Sequence, residues 1–88
     1  MILHIVVRGR VQGVGYRYFA QGEAVKSGLV GWVRNNPNAE VEALAQGDPS
    51  KLDIWVQKLH QGPLSARVDE VLVEETESKL QYTTFIIK

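Results

Sequence analysis

The chain has 88 residues, 44% hydrophobic and 23% charged, with no cysteine and a formal net charge of zero. That profile fits one globular domain over residues 1–88; it excludes disulfide stapling and thiolate chemistry, lacks the ~20-residue apolar run of a membrane helix, and lacks the cationic excess of a general nucleic-acid binder. The charge is uneven, because residues 1–35 carry five cations against Glu23 alone while residues 36–88 carry five against nine carboxylates, a pattern suited to a small anionic ligand near the N-terminal half.

Residues 2–8 predict a strand, with Leu3, Ile5 and Val7 on one face and His4, Val6 and Arg8 on the other. Residues 17–27 predict a helix with Phe19, Ala20, Ala24 and Val25 near one stripe and Gly28 as its stop. A second strand follows over 29–34, then the turn Asn35-Asn36-Pro37-Asn38, then a third strand over 39–46 in which Val41, Ala43 and Ala45 alternate with Glu40, Glu42 and Leu44. Asp48 is placed as an N-cap, with Pro49 opening a helix that runs to about His60 and carries Leu52, Trp55, Val56 and Leu59 on one stripe. Gly62-Pro63 ends it, and residues 66–74 and 81–87 predict the last two strands. The order β-α-β-β-α-β, with a short final strand, is the ferredoxin-like α+β pattern: an antiparallel sheet with two helices on one face. That fold serves many functions, so function has to come from a site.

The segment Val11-Gln12-Gly13-Val14-Gly15-Tyr16-Arg17 joins the first strand to the first helix. N–H groups at a helix start lack intrahelical partners, and the helix dipole adds positive character there. Glycines let successive N–H groups line a concavity that fits phosphate. A bare G-x-G reads more readily as a tight connection between strand and helix. Arg17 tips the balance: it sits in the first helical turn, where a cation is disfavoured by roughly 0.3–1 kcal/mol, and no Asp or Glu lies within five residues of it. A bound oxyanion resolves that conflict, and the guanidinium fork suits phosphate oxygens. The loop lacks the G-K-[ST] of a nucleotide-binding P-loop. His4 and His60 stand apart without a spaced carboxylate cluster, so no metal is expected. The acidic residues Asp69, Glu70, Glu74, Glu75 and Glu77 read as a solvated face.

Gly9-Arg10-Val11-Gln12-Gly13-Val14-Gly15-Tyr16-Arg17 closely resembles the first signature of the acylphosphatase family, G-x-V-Q-G-V-x-[FY]-R. Gly31-Trp32-Val33-Arg34-Asn35 resembles the second, G-[FYW]-V-[KR]-N. The resemblance extends over essentially the whole chain. It implies metal-independent, cofactor-free hydrolysis of acyl phosphates to a carboxylate and inorganic phosphate. It implies that Arg17 and the N–H groups of Gln12, Gly13, Val14, Gly15, Tyr16 and Arg17 bind the phosphate, and that Asn35 orients the attacking water. Arg10 receives no chemical role. The expected partners are a small-molecule acyl phosphate and inorganic phosphate as product and inhibitor, with no nucleic acid and no membrane, for a monomer in the cytoplasm.

One position departs from the family pattern. Ala39 stands where glycine is expected after the Asn. A left-handed conformation there is costly for Ala, so the turn is expected to be rearranged, with Asn36 or Asn38 taking that conformation. Two rival functions follow from the same fold. An RNA-recognition domain is disfavoured because His4, Val6 and Arg8 offer no aromatic on the open face of the first strand. A regulatory or carbamoyl-phosphate-handling unit of a larger protein is disfavoured by the 88-residue length.

Overall fold

The computed structural model describes residues 1–77 and 81–88. Strand β1 spans Ile2–Arg10, helix α1 Tyr16–Lys26, β2 Val30–Asn35, β3 Val41–Gln46, helix α2 Pro49–Gln61, β4 Arg67–Thr76 and β5 Phe85–Ile87. The strands lie in the order β4-β1-β3-β2-β5. Alternation puts Leu3, Ile5 and Val7 of β1 in the core with Val41, Ala43 and Ala45 of β3, while His4 and Val6 are half-buried on the opposite face.

The sheet is mixed, which corrects the expectation of an antiparallel one. β1 pairs antiparallel with β3 and β4, and β2 with β3, but β5 runs parallel to β2, from Gly31↔Phe85 to Val33↔Ile87. The directions force this. β4 runs against β1 and so delivers the chain to the end of the sheet where β1 and β2 begin. A strand starting there on the far side of β2 must run with β2. The last strand is also shorter than expected, starting at Phe85 rather than residue 81.

The helices close the Leu3–Ile5–Val7 face, joining one core with Ala20, Ala24, Leu52, Trp55 and Leu59. Trp55 is fully buried; its indole Nε1–H donates to the carbonyl of Ala20 at 3.0 Å, and its ring meets Phe85 edge-on. On the α1 stripe Ala20 and Ala24 are buried, Phe19 is half-buried and Val25 is exposed. The α1 C-terminus is a Schellman motif. Gly28 N–H reaches Val25 O, Leu29 N–H reaches Ala24 O, and Gly28 takes the left-handed φ of 69° that the motif requires. Asp48 caps α2 as expected, accepting from Ser50 N–H at 2.9 Å. Among the described residues no helix is long and apolar enough to cross a membrane.

Candidate active site

Helix α1 begins very differently from α2. Its N-cap is Gly15 in the left-handed conformation, with no side-chain cap and no acidic residue in the first turn. Gly13 has φ 73° and Gly15 φ 78°, while a Cβ at either position would meet open space. Conformation, not crowding, is therefore what calls for glycine at these two positions. Among the described residues the N–H groups of Gln12, Gly13, Val14, Gly15, Tyr16 and Arg17 donate to no protein acceptor. Alternating left-handed glycines beside an uncapped helix start form the kind of N–H concavity that takes an anion. Gly9 has a separate duty: at φ 138° it sits at the β1–β4 bulge, where a Cβ would lie 2.1 Å from Arg67 O.

Three side chains fasten this loop while leaving its N–H groups free. Tyr16 is buried, and its hydroxyl donates to Leu59 O at 2.7 Å, docking the helix start on the last turn of α2. Burial pushes the Tyr16 phenol well above its ordinary pKa, so it stays a neutral donor. Ser65 Oγ–H donates to Val14 O at 3.0 Å. Gln12 Nε2 donates to Asn36 O at 3.1 Å and to Glu40 O at 3.0 Å. The sequence supplied a role only for the Gln12 main chain. Its side-chain anchorage, and that of Ser65, depends on residues distant along the chain.

Arg17 is half-buried and, among the described residues, has no side-chain carboxylate partner; its Nη1 donates to the main-chain oxygen of Lys88 at 3.3 Å. Lys88 N–H in turn donates to Val33 O at 2.9 Å, in the strand that ends at Asn35. These bonds tie the guanidinium to β2, as Gln12 ties the loop to the residue after Asn35. Asn35 Oδ1 is buried and, among the described residues, meets no donor. An acceptor in that state costs about 1–3 kcal/mol, and such groups are few in native structures.

The turn after Asn35 is not rearranged: Ala39 itself takes φ 63°, contrary to expectation. Asn36 is already committed, since its Oδ1 accepts from the N–H groups of Asn38 and Glu40 at 3.0 Å each, and its own N–H donates to Glu40 O at 2.9 Å. With residue 36 clamped and Asn35 paired to Val41, the left-handed step falls at residue 39.

The Acylphosphatase family model matches residues 3–87. The chain belongs to the acylphosphatase family. It is 50% identical over 72 residues to an acylphosphatase of Alcanivorax borkumensis, covering 82% of this chain and 78% of that one. It is 46% identical over 85 residues to an acylphosphatase of Acaryochloris marina, covering 97% and 90%. The crystal structure of the acylphosphatase from Bacillus subtilis superposes with a TM-score of 0.94 at 40% identity, covering 100% of this chain and 99% of that one.

Proposed function

We propose that this member of the acylphosphatase family hydrolyses the carboxyl–phosphate bond of acyl phosphates, giving a carboxylate and inorganic phosphate without a metal ion. The observation that carries the reading is the row of N–H groups from Gln12 to Arg17, unpartnered among the described residues, at an uncapped helix start. They and the Arg17 guanidinium hold the phosphoryl oxygens and balance the charge they carry in the transition state. Arg17 has no side-chain carboxylate partner among the described residues, so apart from the Nη1 bond to the Lys88 oxygen its donors are available to phosphate.

The buried Oδ1 of Asn35, unpaired among the described residues, accepts a hydrogen bond from the attacking water and holds it in line with the leaving group. An amide is not a base near neutral pH, so the water's proton passes to a phosphoryl oxygen of the substrate. Water attacks phosphorus, the bond from phosphorus to the carboxyl oxygen breaks, and the acyl group leaves as a carboxylate. The conjugate acid of that leaving group has a pKa of about 4, so no general acid is needed. Phosphate monoesters, which leave as alkoxides, should be poor substrates.

The product, inorganic phosphate, fits the same cradle and inhibits competitively. The proposal extends to a monomer in the cytoplasm, in keeping with a chain that uses no cysteine. The test is to follow benzoyl phosphate absorbance with excess chelator present. Rapid loss, slowed competitively by inorganic phosphate, supports the reading. No turnover, or turnover restored only by added metal, overturns it.

A further inference from the structure

Asn35 ends β2, and the aim of its side chain depends on the turn that follows. That turn contains the left-handed Ala39, which an L-residue adopts at a cost of about 1–2 kcal/mol. The surroundings must hold it. The main-chain clamp by Asn36 Oδ1 requires the Asn36 side chain to keep one rotamer. What fixes that rotamer is a carboxylate: Asn36 Nδ2 donates to Glu40 Oε1 at 2.9 Å. Glu40 is itself gripped, because Arg8 Nε donates to Glu40 Oε2 and Arg8 Nη1 donates to Glu70 Oε1 at 3.0 Å. The Glu40 side chain is only 14% exposed, whereas Arg8 and Glu70 are about half exposed.

We propose that Glu40, held by Arg8, is a positioning residue for Asn35. The chain of contacts runs from β4 through Arg8 to Glu40, then to Asn36, whose position sets where the adjacent Asn35 presents its oxygen. An ordinary exposed ion pair contributes little. This one differs because each carboxylate oxygen has its own donor, and one of those donors is the side chain that closes the strained turn. Loss of the Glu40 carboxylate deletes no bond of the cradle of residues 12–17, since Gln12 holds the main-chain oxygens of Asn36 and Glu40, but it loosens the water-orienting group, and displacements on the order of 1 Å at such a group are costly in rate. The inference rests on the water-orienting role of Asn35, and the following experiment separates the two.

Steady-state kinetics on benzoyl phosphate are measured for wild type, Glu40→Ala, Glu40→Gln, Arg8→Gln, Asn35→Ala and the Asn35→Ala/Glu40→Ala double variant, with phosphate inhibition constants for each. Glu40→Ala should lower kcat about tenfold, with KM and phosphate affinity within about twofold of wild type. Glu40→Gln, whose amide oxygen still accepts from Asn36, should recover most of that loss. In the Asn35→Ala background Glu40→Ala should make no further difference, since nothing remains to be aimed. Arg8→Gln, at an exposed position where folding is not in question, should lower kcat about threefold with KM unchanged. Unchanged kcat in Glu40→Ala and Arg8→Gln, beside a slow Asn35→Ala, overturns the Glu40 role and leaves that of Asn35 standing. Equal losses of kcat and phosphate affinity, or additive losses in the double variant, also overturn it. A wild-type kcat in Asn35→Ala removes both.

Discussion

Gln12 Nε2 donates to the carbonyl oxygen of Asn36 at 3.1 Å, across 24 residues of sequence. One amide thus joins the loop proposed to bind phosphate to the turn that follows Asn35, the residue proposed to orient water. It fills a second carbonyl, that of Glu40, at the same time. Gln12→Ala removes both bonds, for a net loss of about 1–2 kcal/mol. In a domain of this size each kcal/mol lowers Tm by roughly 4–8 °C. Thermal melts check the stability loss. Kinetics should show kcat and phosphate affinity falling together, because both parts of the site lose their link.

Arg17→Ala should lower kcat/KM by at least about a hundredfold. Charge-assisted hydrogen bonds worth roughly 1.5–3 kcal/mol each disappear. Arg17→Lys should restore little, since a point charge cannot reproduce the planar fork. Near-wild-type hydrolysis of benzoyl phosphate by either variant would sink the assignment.

Asn35→Ala should split function from stability. Its kcat should fall at least tenfold while the phosphate inhibition constant stays close to wild type. Because the variant deletes a buried acceptor that meets no donor among the described residues, Tm should not fall. A large drop in Tm would show that Oδ1 is doing structural work.

Ala39→Gly relieves a left-handed alanine. Glycine also makes the unfolded chain more flexible, by about 0.4–1 kcal/mol, which is smaller than the steric relief of about 1–2 kcal/mol. The net stabilisation should be about 0.5–1 kcal/mol, read as a higher midpoint in denaturant with an unchanged slope.

Three carboxylates give the pH dependence of stability in acid. Asn36 and then Arg8 hold Glu40 below the usual carboxylate range. Burial pushes Glu42 up, but hydrogen bonds from His4 and Arg34 outweigh it and the net direction is down. Ser50 holds Asp48 down from its capping position. A carboxyl group whose folded pKa lies below its unfolded value of about 4 adds stability above that value and loses it as pH falls through the folded one. Tm should therefore be flat from about pH 5 to about pH 9 and drop below about pH 4, with a second fall above about pH 10 as the buried Tyr16 phenol is forced to ionise. Glu42→Gln should make the acid drop shallower. A Tm that rises on acidification below about pH 5 would contradict the sign.

Much of the fold was legible because the relevant signals are local. Period-two alternation in Leu3-Ile5-Val7 and in Val41-Ala43-Ala45 marks which side chains enter the core, and both sets are buried. Gly28 stops α1 because a left-handed residue is needed at that step of a Schellman motif. Asp48-Pro49 starts α2 because a carboxylate can accept the free N–H while proline has none to leave unpaired. The glycines at 13 and 15, with Arg17 at the disfavoured end of a helix, marked the candidate site for the same reason.

What these patterns do not carry is direction and partnership across the chain. The parallel course of β5 follows from which edge each strand occupies, and three residues of Phe85-Ile86-Ile87 hold no record of that. Alanine's steric preference argues against φ 63° at residue 39, yet the clamp on Asn36 and the pairing of Asn35 with Val41 outweigh it. Neither Tyr16 on Leu59 nor Gln12 on Asn36 has a counterpart in local spacing, because each bond joins segments that only packing brings together. Propensity and periodicity act within a few residues, so they reveal elements and a candidate anion-binding loop. The aim of the groups around that loop comes from long-range hydrogen bonds that exist only once the sheet is assembled.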